Sequence, residues 1–481
     1  MRVILLFVAA LLIATSVTAQ PDSLWSRTYR SAGDDYCFSL AQMADGGYAL
    51  AGLARYHGQP DPGQVMLIRA GANGDSLWSR EYGCDSADVC LSMQQTTDGG
   101  FVFAGYQTGA DWTVYRMMML RTDSNGDSLW SRTYLRGDNA FGTSVRQTLD
   151  GGYILAGCWG SIVNDEWTRD AWLVKTDANG DTLWTRSYGG AGEDEWRCVR
   201  QVSDGGYILA GYTSSYGQGG GDFWLMRTDA NGDSLWSRAY GTTGYDVCYA
   251  LQEMSDGGYL LAGYTALAAG NEDFLVVRTS SNGDALWNRK FGGPASDECV
   301  AITQTSDGGC ILAGHTGVFT QNPAFMLVRL NSVGDSLWSL VRGSAATDLD
   351  CAVQQTPDGG FVFAASAPSA DSTGFDFSLT KFAPELTTGN LQAPRDYGVL
   401  SSYPNPFNGS TTLHFSLPRA MPVSLRAFDV LGRQVSTIAQ GNFTAGSHDV
   451  RWDCSNCASG VYVVSLSGNS FSHTRKVMLL K

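Results

Sequence analysis

The chain has 481 residues, of which 32 are Lys or Arg and 47 are Asp or Glu, so its formal net charge is −15 at pH 7. Contact with nucleic-acid phosphates needs clustered basic residues, so this balance argues against a nucleic-acid-binding protein. It suits a solvated extracellular surface.

The N-terminal residues have the pattern of a secretory signal. Met1 and Arg2 precede twelve apolar residues at positions 3–14, and small residues at 17–19 follow before Gln20. Such a run is too short to span a bilayer, which takes roughly 20 residues. We expect residues 1–19 to be a cleaved signal peptide and expect no transmembrane segment elsewhere, so that the mature protein is exported.

A Leu-Trp pair recurs seven times, and an Asp-Gly-Gly follows each Trp by twenty residues. The tryptophans are Trp25, Trp78, Trp130, Trp184, Trp236, Trp287 and Trp338, and the aspartates are Asp45, Asp98, Asp150, Asp204, Asp256, Asp307 and Asp358. The stretch from each Asp to the next Trp varies between 31 and 34 residues. A repeat of about fifty residues with several short strands predicts a propeller or a solenoid.

Each unit contains four strand-like segments, which in the fourth unit are residues 196–202, 207–213, 222–228 and 234–240. Asp204-Gly205-Gly206 and Asn231-Gly232 are tight-turn sequences, so the segments on either side should be antiparallel neighbours. The second segment is apolar without alternation, which predicts a strand buried on both faces.

These turns place the Trp-bearing strand outermost in its sheet. The segment at residues 24–29 then has no preceding partners, whereas the last unit, with strands near 351–356, 361–367 and 375–382, lacks a Trp strand. We expect the N-terminal strand to fill that place, which removes unpaired sheet edges. The prediction is an all-β fold in which residues 20–383 form a seven-bladed β-propeller, with its N-terminal strand closing the last blade.

The unit resembles the quinoprotein-like propeller repeat over residues 22–383. The matching residues in one unit are Asp177-Ala178-Asn179-Gly180-Asp181-Thr182-Leu183-Trp184. Quinone-binding enzymes of that group use two adjacent cysteines against the cofactor, and no two cysteines are adjacent in this sequence. We therefore expect no cofactor.

Two repeated features have a structural and a functional interpretation. The seven tryptophans are expected to pack between blades, with ligand stacking as the alternative. The Asp-x-Asn-Gly-Asp sequences, such as residues 123–127 and 229–233, resemble half of a calcium loop, but Tyr134 and Tyr240 stand where that loop needs its Glu. A turn is the preferred interpretation.

A second recurrent acid lies ten residues before Asp-Gly-Gly in every unit except the third, which has Ala140. These acids are Asp35, Asp88, Asp194, Asp246, Asp297 and Asp348. They lie where the chain crosses to the next blade, and they either cap backbone N–H groups or form an acidic mouth that binds cations. The crossing loops and the loops between the second and third strands share one side of the sheets, called the loop face below, where we expect function to reside.

The loop face should also carry aromatic side chains suited to a glycan or a protein ligand. The candidates are Tyr106, Trp112, Trp159, Trp167, Tyr212 and Tyr264, together with Tyr56, Tyr216 and Phe319. Covering the blade ends is an equally open interpretation.

The sequence has no Gly-x-Ser-x-Gly elbow, no His-Glu-x-x-His helix and no phosphate-binding Gly-rich loop with Lys. Of five histidines, two lie in the repeat loops, His57 and His315. We expect no metal site and no catalytic residues, and predict a non-catalytic extracellular binding module. A polysaccharide-active enzyme and a structural surface-layer component are the alternatives.

The cysteines are expected to differ between the two domains. Cys37, Cys90, Cys248 and Cys299 share one repeat position, where small buried thiols are expected rather than disulfides. Cys454 and Cys457 form the best candidate disulfide.

Residues 384–399 lack repeat elements and are predicted to be a linker. Alternating segments at residues 411–417, 423–430, 448–452, 461–466 and 475–480 then predict a small antiparallel β-sandwich.

Residues 400–481 resemble the C-terminal sorting domain of the bacterial type IX secretion system. The motifs are Tyr403-Pro404-Asn405-Pro406-Phe407-Asn408, Asp429-Val430-Leu431-Gly432-Arg433, Ala445-Gly446, Ser459-Gly460-Val461-Tyr462 and the terminal Lys476-Val477-Met478-Leu479-Leu480-Lys481. The resemblance implies recognition by the outer-membrane translocon, after passage through the periplasm. Release or attachment at the cell surface is then expected.

Overall fold

A computed structural model describes residues 20–30, 33–55, 63–83, 87–108, 113–163, 166–266, 272–293, 295–317, 324–343, 351–369, 374–385, 401–403, 407–417, 421–430, 432–444, 446–468 and 472–481. They fall into two compact units, one within Thr18–Glu385 and one within Leu386–Lys481. The signal peptide predicted at 1–19 and most of the linker predicted at 384–399 lie outside these residues, and the domain boundaries stay predictions. Among the described residues, no helix could cross a membrane.

The described residues are organised in strands, without a helix. In the first unit the strands are β1 (Ser23–Tyr29), β2 (Asp35–Gln42), β3 (Tyr48–Ala54), β4 (Gln64–Ala70), β5 (Ser76–Tyr82), β6 (Asp88–Gln95), β7 (Phe101–Thr108), β8 (Tyr115–Thr122), β9 (Ser128–Tyr134), β10 (Asn139–Gln147), β11 (Tyr153–Val163), β12 (Glu166–Thr176), β13 (Thr182–Tyr188), β14 (Asp194–Gln201), β15 (Tyr207–Thr213), β16 (Asp222–Thr228), β17 (Ser234–Tyr240), β18 (Tyr245–Glu253), β19 (Tyr259–Ala266), β20 (Glu272–Thr279), β21 (Ala285–Phe291), β22 (Asp297–Gln304), β23 (Cys310–Thr316), β24 (Ala324–Leu330), β25 (Ser336–Arg342), β26 (Cys351–Gln355), β27 (Phe361–Pro368) and β28 (Phe375–Phe382). In the second unit they are β29 (Ser401–Tyr403), β30 (Ser410–Leu417), β31 (Met421–Phe428), β32 (Gln434–Phe443), β33 (Gly446–Asp453), β34 (Gly460–Gly468) and β35 (Ser472–Leu479).

Strands β2 to β25 form six four-stranded sheets, each made of consecutive antiparallel strands. The seventh sheet has the order β1-β28-β27-β26, and Trp25 on β1 lies opposite Lys381 on β28. The prediction that the N-terminal strand completes the last sheet is confirmed.

The core of the first unit lies between neighbouring sheets. Ile208 of the fourth sheet and Leu261 of the fifth belong to one buried cluster, and Leu50 of the first sheet is buried with Phe377 and Leu379 of the seventh. Each sheet contacts the next, and the first contacts the seventh. The all-β fold class is confirmed as a repeat of four-stranded sheets, and we interpret the seven sheets as the blades of a propeller.

The second strand of the fourth sheet, Tyr207–Thr213, is buried at every residue, as its unbroken apolar sequence predicts. Its neighbour Asp222–Thr228 is buried throughout as well. The outermost strand, Ser234–Tyr240, is largely exposed. The apolar residues therefore lie on the middle strands, where sheets on both sides cover them.

The tryptophan side chains pack against the glycine in the turn between the third and fourth strands of the next sheet. Trp184 lies against Gly232, whose φ is +81°, and the guanidinium of Arg186 lies 5.5 Å from the centre of the Trp184 ring. The hydroxyl of Tyr188 donates to the Gly232 carbonyl oxygen at 2.6 Å. Packing between sheets is thus confirmed for this Trp, and the same Trp–Gly contact recurs from Trp25 to Trp287.

Each Asp-Gly-Gly aspartate pairs with a cation on the third strand of its own sheet. These cations are Arg69, Arg121, Lys175, Arg227, Arg278, Arg329 and Lys381. Asp204 also accepts the backbone N–H of Gly206 at 3.0 Å, and this bond, with the Arg227 ion pair, lowers the pKa of Asp204. The aspartates therefore have a structural role in every sheet.

The second unit contains two sheets, β29-β30-β33 and β32-β31-β34-β35. A single buried cluster joins them and includes Leu413 and Phe415 of the first sheet with Leu425 and Val464 of the second. Cys454 and Cys457 form the predicted disulfide. The strands predicted here are all found, and β29 and β32 are additional.

Candidate functional site

The acids of the crossing loops are buried where the structure describes them. Asp35, Asp88, Asp194, Asp246 and Asp297 are at most 2% exposed, and each lies at or next to the start of the first strand of its sheet. Asp348 lies outside the described residues, and Ala140 occupies this position in the third sheet.

Three of these carboxylates accept hydrogen bonds from their own loops. Asp194 Oδ2 accepts the Gly190 N–H at 2.9 Å, and Asp297 Oδ2 accepts the Gly293 N–H at 2.8 Å. Asp246 Oδ2 accepts the N–H of Thr242 at 2.6 Å. This geometry favours loop capping over an acidic mouth that is open to cations.

A second set of acids, on the third strands, faces the first set across the crossing loop. Asp222 and Asp246 leave no room for a Cβ on Gly241, and Asp170 and Asp194 flank Gly189 in the same way. Asp273 and Asp297 repeat this arrangement around Gly292. No motif in the sequence marks the second set, although an apolar segment of the same strand follows each member.

The acids of the second set have raised pKa values. Burial, and then the neighbouring Asp246 carboxylate, raise the pKa of Asp222 to about 6. Burial and Asp194 raise the pKa of Asp170, and burial and Asp297 raise that of Asp273. The loop face therefore carries carboxyl groups that are protonated more readily than ordinary ones.

Asp222→Asn should raise the melting temperature at pH 8 and change it little near pH 4. In the folded protein the pKa of Asp222 is about 6, above the ordinary value of 3.8, so the ionised carboxylate disfavours folding above pH 6. The wild type regains this stability as the pH falls from 6 to 4 and the carboxyl group is protonated. Melting curves of both proteins between pH 4 and pH 8 measure the effect.

Asp233→Asn is the matched control, because Asp233 is exposed in an outer turn, 3.2 Å from Arg186. It should give no gain at pH 8. A gain for Asp222→Asn that is equal at pH 4 and pH 8 would contradict the assignment.

The predicted aromatic residues occupy different environments. Tyr106 is partly buried against Tyr115 and Phe141, with ring centres 5.7 and 5.3 Å away. The indole N–H of Trp159 donates to Ser187 Oγ at 2.8 Å, and the Arg136 guanidinium lies 4.6 Å from the Trp159 ring. Both side chains thus cover the ends of their sheets.

Tyr212 and Tyr264 belong to a row of aromatic rings in the fourth and fifth sheets. Tyr245 lies 5.3 Å from Tyr212 and 6.4 Å from Tyr264, and Tyr264 lies 5.9 Å from Tyr249. Tyr245 is 41% exposed, whereas Tyr212 is buried. Tyr216, 48% exposed, packs 5.7 Å from Trp224 on the side of the fourth sheet that faces the third. The structure therefore brings together part of the predicted set and adds Tyr245 and Tyr249 to it.

A charge network borders the aromatic row. Arg169 pairs with Glu193 at 2.6 Å and with Glu195 at 3.3 Å, and Arg197 also pairs with Glu195 at 3.3 Å. Glu195 is buried, while Glu193 is partly exposed. The network fixes the loops of the third and fourth sheets and leaves one carboxylate at the surface.

Several predicted residues cannot be placed. Trp112, Tyr56, Phe319, His57 and Pro404, Asn405 and Pro406 lie outside the described residues, and Trp167 lies on β12 without a described side chain. Among the described residues, no group of three or more His, Cys, Asp and Glu side chains could hold a metal ion.

Burial disfavours the charged forms of Cys90 and His315. Cys37, Cys90, Cys248 and Cys299 are buried, as predicted, and burial raises the pKa of Cys90 to about 12. Burial lowers the pKa of His315 to about 3. Neither group has the charge state of a nucleophile or a general acid at neutral pH.

In the second unit, the first sorting motif contacts the last. Phe407 packs on Trp452 with ring centres 5.6 Å apart. Its N–H donates to the Met478 carbonyl at 2.8 Å, and the Leu480 N–H donates to the Phe407 carbonyl at 2.9 Å. The two motifs are therefore held together although the sequence separates them widely.

Residues of three other motifs lie at the same end of the sheet β32-β31-β34-β35, whereas Gly446 belongs to the other sheet. Gly460 is opposite Leu479, and the turn that contains Gly432 and Arg433 follows Phe428, which is opposite Val463. The backbone N–H of Lys481 donates to Ser459 Oγ at 3.0 Å, and its Nζ donates to the Ser455 carbonyl at 2.6 Å. The buried Tyr462 donates from its hydroxyl to the Ala458 carbonyl at 2.6 Å. We call this end, with Phe407, Gly432, Arg433, Gly460, Tyr462 and Lys481, the motif end.

Residues 401–480 match the family model of the secretion system C-terminal sorting domain. This part of the chain is a type IX sorting domain, as the motifs predict. It implies handling by the type IX secretion machinery and export to the cell surface or outside.

The regulatory protein FlaEY of Caulobacter vibrioides is 31% identical over 210 residues, covering 37% of this chain and 22% of that protein. The chain therefore spans about a fifth of the length of this curated relative. Among solved structures, Sqt1 from Chaetomium thermophilum is 12% identical, with 76% of this chain and 99% of that chain covered at a TM-score of 0.41. The acylaminoacyl peptidase of Pyrococcus horikoshii is 8% identical, with 80% and 59% covered at a TM-score of 0.39. Similarities at this level do not assign an activity to this chain.

Proposed function

We propose that the repeat unit is a non-catalytic binding module that recognises an extracellular glycan at the loop face of its fourth and fifth sheets. Tyr216 and Tyr245 carry the proposal, since both present exposed rings that neighbouring aromatic side chains hold in place. Such rings offer a large apolar contact with a polar edge, and fixing them in advance reduces the entropy lost on binding. Glu193 adds an acceptor for sugar hydroxyl groups beside them.

The proposed route has two stages. The signal peptide at residues 1–19 delivers the chain to the periplasm, and the sorting domain carries it across the outer membrane through the type IX translocon. The motif end supports recognition there, because it gathers the separate motifs and presents Arg433, whose side chain is 74% exposed, and Lys481. Release or attachment at the surface follows.

The binding proposal is tested on a glycan array with the purified repeat unit joined to its sorting domain. We expect binding to one class of glycan, and we expect Tyr216→Ala with Tyr245→Ala to weaken it by about five- to 150-fold, since each well-placed aromatic contact contributes about 0.5–1.5 kcal/mol. Leu149→Ala is the matched control, because Leu149 is 79% exposed in an Asp-Gly-Gly turn at the other end of the strands.

Incubation of the bound glycan with the protein, followed by chromatography of the products, separates the alternatives. Intact glycan supports the binding module, whereas released fragments would make the protein a polysaccharide-active enzyme. Absence of glycan binding together with ordered self-assembly would instead favour a structural surface-layer component. Equal binding by the double variant and the wild type would move the site away from these tyrosines.

A further inference from the structure

The first strands of all seven sheets, β2, β6, β10, β14, β18, β22 and β26, line one cavity of about 520 Å³. We call it the central cavity. In six of these strands a β-bulge shifts the register, and the residue inside the bulge, such as Arg197 or Tyr249, lines the cavity. A bulge turns a side chain away from the regular alternation of a strand, which explains how these side chains reach the cavity.

The charge of this wall is opposite to that of the chain. Among the described residues that line the cavity, the charged side chains are Arg146, Arg197 and Arg200, and no carboxylate is present. The whole chain has a net charge of −15. The central cavity is therefore a local positive site within an acidic protein.

Arg197 has its counter-charge outside the cavity wall. It pairs with Glu195 at 3.3 Å, and its guanidinium lies 5.2 Å from the centre of the Tyr249 ring. Arg197 is thus neutralised by the protein itself.

Arg146 and Arg200 have no such partner. They occupy the same position in the third and fourth sheets, four residues before Asp150 and Asp204. Arg146 Nη1 donates to the Val145 carbonyl at 2.5 Å and to Ser92 Oγ at 3.5 Å, and Arg200 Nη1 donates to the Val199 carbonyl at 3.1 Å. Neither arginine forms an ion pair with any described residue, so most of their N–H donors remain available to the cavity.

The two cations repel each other across the cavity. Burial, and then the charge of Arg200, lower the pKa of Arg146 to about 9, and burial lowers the pKa of Arg200. Both side chains remain cationic at neutral pH. An anion between them would remove the repulsion and supply the missing acceptors.

Two neutral donors lie at the same level. Gln94 and Gln354 occupy the equivalent position in the second and seventh sheets and line the cavity. Their side-chain oxygens accept the backbone N–H groups of Gln147 at 2.7 Å and Gln42 at 2.9 Å. Each side-chain NH₂ group is consequently free to donate.

We propose that the central cavity binds a small oxyanion, with Arg146 and Arg200 as cationic ligands and Gln94 and Gln354 as neutral donors. The ligand chemistry is a phosphate, sulfate or carboxylate group, because a guanidinium fork binds two oxygens of such a group at once. The volume suits a small molecule. The cavity shares Arg197 and Tyr249 with the surface around the aromatic row, but its four proposed ligands lie outside the residues proposed to bind the glycan.

The test uses the full mature chain and compares melting temperatures in sodium phosphate, sodium sulfate, sodium citrate and sodium glucuronate with those in sodium chloride of equal ionic strength. We expect at least one of the four anions to raise the melting temperature in a concentration-dependent way, since a ligand of the folded state stabilises it. A greater effect of glucuronate than of the inorganic anions would assign the anionic group to a sugar, and the reverse would assign a free ion.

Arg146→Gln with Arg200→Gln should abolish this shift. In chloride alone the double variant should melt no lower than the wild type, because it has lost two unpaired cations. Arg289→Gln is the control, since Arg289 lies on an outer strand 5.5 Å from the ring of Trp287 and should leave the shift unchanged. Should the double variant not fold, Arg146→Gln alone provides the comparison and should at least halve the shift.

Isothermal titration of the wild type with the most effective anion gives a second measurement that does not depend on melting. The proposal is overturned when none of the four anions acts beyond chloride. It is equally overturned when the Arg146 and Arg200 variants retain the shift of the wild type.

Discussion

Deletion of residues 22–30 should lower the melting temperature of the repeat unit by roughly 10 °C and promote aggregation. The deletion removes β1, which pairs with β28 and also contacts the first sheet. Trp25 lies 6.0 Å from Tyr48, and the Tyr29 hydroxyl donates to the Gly74 carbonyl at 2.6 Å. Loss of a packed Trp alone costs about 3–5 kcal/mol, and in a unit of this size each kcal/mol corresponds to about 1–2 °C, to which the lost pairing with β28 adds.

Aggregation is expected because β28 would become an edge strand with unpaired backbone groups. Calorimetry measures the stability, and light scattering measures the association. A synthetic peptide of residues 20–30 is the control and should restore part of the lost stability. An unchanged melting temperature after the deletion would contradict closure of the seventh sheet by β1.

Removal of residues 386–481 should leave a folded repeat unit that stays in the periplasm. The core clusters between the seven sheets consist of residues within Thr18–Glu385, so the unit retains its own buried core without the sorting domain. Its melting temperature should match that of the corresponding transition in the full-length chain. Fractionation of a host with a type IX system, with immunodetection in periplasm, membrane and medium, measures the location.

The full-length chain in the same host is the control and should reach the surface or the medium. A periplasmic marker enzyme reports lysis. Appearance of the truncated chain outside the cell, without release of that marker, would contradict the role assigned to residues 401–480.

The strand pattern of the repeat could be predicted because glycine turns and buried strands recur in the sequence. In the fourth unit the segments predicted at 207–213, 222–228 and 234–240 coincide with β15, β16 and β17. The first strand begins two residues earlier than predicted, at Asp194. That residue is polar, and its burial depends on a loop that covers it, which local hydrophobicity does not show.

The strand β32 of the sorting domain was not predictable in the same way. Its sequence, Gln434–Phe443, is largely polar and exposed, and its pairing with β31 is interrupted at two points. It is an edge strand that contributes little to the core, so the alternation that identifies strands is weak. Backbone pairing with β31, and not burial, places it in the sheet.

The candidate sites depend more strongly on contacts between distant residues. Tyr212 and Tyr264 could be selected from their positions near variable loops. That Tyr245 and Tyr249 belong to the same row of rings follows only from the packing of two sheets. Arg146 lies in a strand that could equally have faced solvent. The first strands of all seven sheets come together around one cavity, and this arrangement places Arg146 among lining residues that include no carboxylate.

Fusion of residues 384–481 to an unrelated domain with its own signal peptide tests the central claim most directly, namely that this chain is cargo exported by its sorting domain. In a host with a type IX system, the fusion should move the unrelated domain from the periplasm to the cell surface or the medium. The same fusion with Gly432 and Arg433 deleted from the motif end is the matched comparison and should be exported less. Retention of the intact fusion in the periplasm, at the level of the unfused domain, would contradict the account.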